Sequence, residues 1–543
     1  MNKEDPLVAQ LSADVLVVGG GLGGVAAALA AARRGCTVVL TEEDRWLGGQ
    51  LTAQAVPPDE HPWSEQFGLT ASYRQLRNGI RDYYRRWYPL TERARANPRL
   101  NPGAGTVSPL CHEPRVAVAV IDALLAPHRS AGRLNVLSPY RAVEASVDGD
   151  RVTGVRLESL TSADPVDVEA RFVLDATETG ELLELCAAEH VTGFESRQVT
   201  GEPSAPEQAD PLNMQAVSWC FAVDHVAGNH TIDRPDSYGY WRDYRPAFWP
   251  DRLLSWTWPD PRTLLPVTGT FAPNADDDPL SIIADQSRDP GAFELWRFRR
   301  LLARRLFLPG SYDSDVTLVN WPMIDYFDGP IFGVDPEQAA THTQGARELS
   351  HSFLYWLQTE APRRDGGTGY PGLRLRSDVM GTTDGFAQAI YVRESRRISA
   401  VTTVVEQDIS LAVRGELGAR QYSDSVGIGM YRIDLHPSTG GDTYIDVGAC
   451  PFQIPLGALL PVRLENLVPA CKNIGTTHIT NGCFRLHPVE WNIGEAAGAL
   501  AAFCVAQKHT PHEVHAKHQL LTELQDDLSR GGIELAWPDV RGY

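Results

Sequence analysis

No two of the eight cysteines (Cys36, Cys111, Cys186, Cys220, Cys450, Cys471, Cys483 and Cys504) form a C-x-x-C pair, which removes zinc ribbons and thioredoxin-like redox chemistry. Eight thiols in 543 residues are few, so the sequence points to a reducing, cytoplasmic setting with mostly buried cysteines. Nor is there a run of about 20 apolar residues that could span a membrane. Met1 to Ser12 lack the apolar stretch of a signal peptide. Positive charge is short: 49 Lys and Arg face 69 Asp and Glu, a formal net charge of -20. A chain so acidic repels phosphate backbones, which argues against a nucleic-acid partner. No internal repeat, low-complexity segment or metal-ligating pattern stands out.

What is present is an ordinary globular balance, 43% hydrophobic and 22% charged residues, in a chain long enough for two or three interleaved domains. The most informative stretch is the first. Asp14 to Gly19 (DVLVVG) is expected to form a buried strand, Val25 to Arg34 (VAAALAAARR) a helix, and Thr37 to Thr41 (TVVLT) a second strand. This is a βαβ unit. Gly19-x-Gly21-x-x-Gly24 sits between the first strand and the helix. Gly19 permits the tight turn, Gly21 lets a pyrophosphate approach the backbone, and Gly24 lets helix and strand pack closely. The unpaired N–H groups of the helix N-terminus then face the phosphates. Glu42, ending the second strand, supplies a carboxylate for ribose hydroxyls. Gly367-x-Gly369-x-x-Gly372 fits the bare glycine pattern too, but it contains Pro371 and lacks a preceding apolar strand, so it is expected to be a loop. One dinucleotide site is therefore expected, which disfavours an NAD(P)H-reductase architecture with two.

Further along, helices are expected at 70–88, 115–125, 291–307 and 337–360, and strands at 134–137, 142–147, 152–157 and 172–176. The arginines of the first helix, Arg74, Arg77, Arg81, Arg85 and Arg86, are expected to form a solvated face. The run Arg393-Glu394-Ser395-Arg396-Arg397 is expected to be solvated or structurally paired, the alternative, on the family resemblance given below, being that Arg393 or Arg396 faces an active-site cavity. Tryptophans cluster at 241–258, either as core or as an aromatic pocket.

Several blocks resemble flavoproteins. Gly48-Gly49 follow Glu42 in RWLGGQLT, as a second glycine pair does in FAD proteins. Phe172 to Thr177 (FVLDAT) resembles the strand-plus-ATG element, with Glu178 where glycine is usual. Residues 464–500 (LENLVPACKNIGTTHITNGCFRLHPVEWNIGEAAGAL) resemble the segment that closes over a flavin, a short strand and then a helix opened by Pro488. With GGGLGG, YVRESRRI and QIPLGAL, these blocks resemble the predicted FAD-dependent oxidoreductase family sometimes described as xanthan-lyase-related, within the glutathione-reductase and fumarate-reductase-like flavoproteins.

The resemblance implies an α/β architecture. A Rossmann-like FAD-binding domain, a central parallel sheet with a three-stranded β-meander, would be assembled from residues 1–214 and 441–510. An inserted α+β substrate or cap domain would span 215–440, followed by a helical tail at 511–543. It implies FAD as cofactor, contacted by Gly19, Gly21, Leu22, Gly23, Gly24, Glu42, Glu43, Gly48, Gly49, Gln50, Leu51, Ala176, Thr177, Asn492 and Ile493. The final helix would aim its N-terminus at the flavin edge where negative charge accumulates on reduction. His478, Arg485 and His487, in the loop before that helix, are the candidate catalytic residues: a histidine for proton transfer, an arginine for an anionic substrate group or reduced flavin. The expected activity is hydride transfer between a small organic substrate and flavin N5. A flavin monooxygenase and a non-redox flavin-binding isomerase or binding protein are the alternatives. The oligomeric state is left open, with a homo-oligomer compatible.

Overall fold

A computed structural model of the chain describes residues 9–161, 164–282 and 294–543. Strand β1 (Ala9–Val18) ends in the buried run Val15 to Val18, whose β-branched side chains suit a strand covered on both faces. Helix α1 (Leu22–Arg33) is buried from Leu22 to Ala32, and β2 (Val38–Thr41) then pairs parallel to β1, Val15 opposite Val38. Helices α2 (Ala71–Trp87) and α3 (Pro114–Ser130) lead to β3 (Leu134–Leu137), parallel to β2. An antiparallel meander follows: β4 (Tyr140–Asp148), β5 (Arg151–Ser159) and β6 (Val166–Asp175). Strand β6 pairs parallel with β1 along its whole length, from Ala9 opposite Val166 to Val18 opposite Asp175. The meander thereby joins the parallel sheet.

A second, four-stranded antiparallel sheet is built from β7 (Phe221–His225), β8 (Arg300–Leu302), β9 (Val316–Val319) and, after the long helix α4 (Pro336–Thr359), β10 (Leu373–Leu375). Asp335 caps α4 by accepting from Glu337 and Gln338 N–H groups, and Pro336 occupies its first turn. A separate core, rich in aromatics such as Trp258, Trp296, Trp321 and Phe353, packs around this sheet. The helix expected at 291–307 is realised, among the described residues, only as a short α-helix at Leu295–Phe298 and a 3-10 turn at Arg304–Leu306; residues 291–293 lie outside them. Beyond it, Arg300 and Leu302 pair with Thr317 and Val316, so sheet pairing overrides the helical propensity of this arginine- and leucine-rich stretch.

The chain then returns to the first sheet. Two short ribbons, β11 (Ser425–Gly429) with β14 (Phe452–Pro455) and β12 (Ile433–Leu435) with β13 (Ile445–Val447), precede β15 (Leu467–Pro469). Strand β15 pairs parallel to the end of β6 and completes a seven-stranded, parallel-dominated sheet. Helices α5 (His478–Phe484) and α6 (His487–Gln507) follow, then α7 (Pro511–Ala516) and α8 (His518–Arg530). Every residue of α6 from His487 to Ala502 is buried. A Cβ at Gly494 would lie 2.0 Å from Gly23 O, and one at Gly498 would lie 2.1 Å from Ala27 O. These two glycines let α6 touch the α1 backbone directly.

The arginines of α2 correct the expectation of a solvated face. Arg77 and Arg81 are buried; Arg77 bonds Glu60 at 2.8 and 3.0 Å and Glu65 at 2.5 Å, and Arg81 reaches Glu65 and Leu100 O. Only the outer arginines, such as Arg86, meet solvent. Gly367, Gly369 and Gly372 lie in irregular turns, as expected. All eight cysteines are buried and unpaired. No helix among the described residues is long and apolar enough to cross a membrane.

Candidate active site

A crevice of about 340 Å³ opens at the C-terminal ends of β1, β2 and β6, lined by Gly19, Gly21, Glu42, Glu43, Ala176 and Thr177 among others. Open α/β sheets hold nucleotides at this edge. Gly19 has φ +97°, and a Cβ there would lie 2.3 Å from Ala176 O, so only glycine makes this turn. Glu42 Oε2 accepts from Gly20 N at 2.9 Å, while its Oε1 accepts from the N–H groups of Glu43 and Asp44. Burial, reinforced by Asp44, pushes the Glu42 carboxyl well above the ordinary range. Thr177 is tied to Asp175 Oδ1 through its hydroxyl (2.6 Å) and its N–H (3.0 Å).

The start of α1 meets α6 here. Glu490 Oε1 accepts from Gly23 N at 3.2 Å and its Oε2 accepts from Gln50, whose amide also donates to Arg485 O at 2.9 Å. Lys472 is buried and ion-paired to Glu178 beside them. Burial lifts Glu490 to about 7, Lys472 opposing and Glu178 assisting. Gly48 and Gly49 turn with φ +111° and +45°, and Leu51 is buried behind them. Leu22 and Gly24 lie inside the first turn of α1, packed away from the crevice. Asn492 and Ile493 sit further along α6; Asn492 donates to Ile428 O, and its Oδ1 is buried without a partner. The crevice fits an ADP moiety: it has glycines where side chains would obstruct, a helix N-terminus, and Glu42 at the end of β2.

A second cavity, of about 150 Å³, lies on the other side of Arg485. Arg485 reaches Asp434 O at 3.1 Å and Tyr391 Oη at 3.4 Å. Arg393, from the YVRESRR run, is buried and donates to Ala216 O (2.7 Å), Ser218 Oγ (3.0 Å) and Asp325 Oδ1 (2.9 Å). His436 lines the same cavity, with Nδ1 2.6 Å from Asp325 Oδ2. The acceptor-only carboxylate requires the proton on Nδ1, which leaves the Nε2 lone pair for a ligand. Burial and then Arg393 hold the imidazole below its usual pKa, against the pull of Asp325. Burial would raise Asp325, but Arg393 and His436 bring it below the ordinary range. Arg299 and Asp59 also line the cavity, 3.5 Å apart.

Of the three residues singled out from sequence, Arg485 lines this cavity, whereas His478 and His487 do not. His487 Nδ1 accepts from Asp59 N at 3.1 Å and its Nε2 donates to Val56 O at 3.2 Å; burial and then Arg299 push it down to about 3. His478 bonds Glu394 through Nδ1 at 2.8 Å and lies against Phe194. The sequence reasoning missed His436, Asp325, Asp59 and Arg299. Arg393 was singled out from a charge run as one of two arginines that could face the active-site cavity, and it does line this cavity, as does Trp258 from the tryptophan cluster.

The comparisons follow this geometry. Among solved structures, L-proline dehydrogenase from P. horikoshii is 15% identical over 36% of this chain and 27% of its own, with a TM-score of 0.18. The glycerol-3-phosphate dehydrogenase from Bacillus halodurans, complexed with FAD, is 16% identical over 39% of this chain and 40% of its own, TM-score 0.25. The myxobacterial chondrochloren halogenase CndH, a FAD-dependent halogenase, is 17% identical over 41% and 45%, TM-score 0.22. The chain thus spans less than half the length of each of the three, and overlaps this low carry no argument about activity. A search of curated proteins finds no match. The model of the FAD dependent oxidoreductase family matches residues 14–528, and the chain therefore belongs to that family.

Proposed function

We propose that this protein is an oxidase or dehydrogenase of a small organic molecule, bound FAD supplying the two-electron acceptor that takes a hydride at N5. One observation carries the reading: the segment opening α6 serves both spaces. Its Arg485 carbonyl and Glu490 carboxyl are tied to Gln50 at the cofactor crevice, and its Arg485 guanidinium lines the second cavity. In this reading Gly19, Gly21, Gly23, Glu42, Glu43, Gly48 to Leu51, Ala176, Thr177, Asn492 and Ile493 hold the cofactor, with Leu22 and Gly24 packing the turn behind it. His436 receives the substrate proton at Nε2, with Asp325 fixing its tautomer and stabilising the imidazolium. Arg485 binds the substrate. His487 positions Asp59 through its backbone N–H, and His478 positions Glu394, so both act through the groups they hold.

Residues 1–214 and 441–510 are assigned to cofactor binding and 215–440 to the substrate side, supported by the separate sheet and aromatic core between Phe221 and Leu375. The quoted sequence blocks support the xanthan-lyase-related branch of the family, and the unpaired thiols support a reducing compartment. The test is anaerobic mixing of the yellow holoprotein with alcohols, amines, sugars and enones while following the flavin band. Bleaching that slows at least a hundredfold in His436→Ala supports the reading. Bleaching unaffected by both His436→Ala and Arg485→Ala sinks it.

A further inference from the structure

We infer that the cavity beside Arg485 selects a monoanionic substrate, an aromatic or aliphatic monocarboxylate whose charged end is held by Arg299, Arg393 and Arg485. The inference rests on the oxidoreductase reading for what happens to the ligand, and on the cavity alone for what binds.

Three observations support it. The first is unsatisfied donors. Arg393 and Arg485 are 2% and 3% exposed, yet the Nε of each has no hydrogen-bond partner; Arg299 Nε is likewise buried without one, its Nη1 being ion-paired to Asp59. Guanidinium N–H groups are strong donors that are seldom left unpaired out of water, and a carboxylate is the acceptor whose charge and planarity suit them. The second is charge. Arg262, Arg299, Arg393, Arg432 and Arg485 line the cavity against Asp59, Asp434 and Asp446. Asp325, directly behind His436 and Arg393, is a fourth carboxylate, already shared between those two. Burying a guanidinium is costly unless its donors are met, and an anionic group meets those of Arg299, Arg393 and Arg485. The third is the wall: Trp258, Trp321 and Tyr391 offer apolar surface for the body of the ligand, and Tyr444 has a buried, unpartnered hydroxyl. A body lying against these rings is uncharged, which separates a monocarboxylate from a dicarboxylate, and the planar guanidinium fork separates a carboxylate from a tetrahedral phosphate.

The test is calorimetric titration of the FAD-loaded protein with phenylacetate, phenylacetamide, succinate and inorganic phosphate. Phenylacetate is expected to bind at least tenfold more tightly than each of the others. Arg299→Gln is expected to weaken it by at least tenfold, and Arg299→Lys, which keeps the charge, by less. Equal binding of acid and amide, or tighter binding of succinate or phosphate, overturns the inference; so does unchanged phenylacetate affinity in Arg299→Gln with the flavin spectrum intact. The two readings fail separately. Bleaching by a neutral amine alone removes the carboxylate inference and leaves the oxidoreductase reading in place. Selective binding of carboxylates, with no compound bleaching the flavin, does the reverse.

Discussion

FAD affinity is expected to fall as pH rises through about 7, and Glu490 is the reason. Its carboxyl occupies the anion-attracting start of α1, accepting from Gly23 N at 3.2 Å, where a pyrophosphate would meet the helix N-terminus. Burial lifts its pKa from 4.5 to about 7; Lys472 favours the ionised form, Glu178 opposes it, and Gln50 and Gly23 donate to it. Below pH 7 the free protein already carries the proton, so binding needs none and affinity is level. Above pH 7 each FAD must draw one proton with it. Linkage then weakens binding about tenfold per pH unit, about 1.4 kcal/mol. The ceiling follows from Coulomb's law: two unit charges about 4 Å apart at an effective dielectric of about 20 repel by about 4 kcal/mol, or roughly a thousandfold. Glu490→Gln keeps an acceptor for Gly23 N and removes the charge, so it should flatten the profile while holding the low-pH affinity. The assay is titration of apoprotein with FAD from pH 6 to 9, followed by quenching of flavin fluorescence. A dissociation constant that does not move with pH, or a Gln variant with the same slope, refutes the argument.

Three further outcomes follow from the geometry. Asp325→Asn places an amide N–H against His436 Nδ1 and moves the ring proton to Nε2, so flavin reduction should slow by about 10²- to 10⁴-fold, with the double variant Asp325→Asn/His436→Ala no slower than His436→Ala alone. The same change removes the carboxylate from buried Arg393, and a lower Tm should accompany it, whereas His436→Ala should melt near the parent. Gly494→Val drives a side chain into Gly23 O, where even a Cβ would sit at 2.0 Å, and should lower stability by about 1–3 kcal/mol or more while loosening FAD, measured by flavin released during thermal melting. Arg77→Met strands Glu60 without its cation and should destabilise by about 3–5 kcal/mol in urea titrations. Burial alone would raise Glu65, but Arg81 and Arg77 pull it to about 2, so the parent should hold this cluster's contribution above pH 4.5 and lose it as pH falls towards 2.

Local signals carried most of the fold around the crevice and, between residues 215 and 440, little beyond the long helix α4, expected at 337–360 and found at Pro336–Thr359. The βαβ unit was legible because strand, glycine turn, helix and acid follow one another within residues 14–42, each with its own period. The meander was legible as three alternating stretches, and α6 because Pro488 opens it and small residues fill it. His436 was not legible: its partner Asp325 is 111 residues away, and neither stands in a motif. Arg77 and Arg81 were misjudged for the opposite reason. Their spacing on α2 was plain, but their burial depends on Glu60 and Glu65 folding back from the preceding loop. A hint was available, since two glutamates stand just ahead of two arginines that share a helix face with Tyr73 and Tyr84.

The loop at 48–61 joins the crevice to the second cavity. Gln50 joins it to Arg485 and Glu490, and Asp59 joins it to His487 by its backbone and to Arg299 by its carboxylate. One short segment thus touches the crevice, the opening of α6 and the wall of the second cavity. Pro57 and Pro58 within it, and Pro62 just beyond it, stiffen it, since each fixes φ and restricts the residue before it. A ligand drawing Arg299 away from Asp59 therefore pulls on the same segment that holds Glu490 in place. Occupancy of the second cavity should change FAD affinity, and by thermodynamic reciprocity FAD should change the affinity for the carboxylate by the same factor. Measuring both constants in one cycle, with and without the Gln50→Ala substitution, isolates the contribution of that link. Equal cycles in the parent and the variant would show that the loop does not carry the coupling.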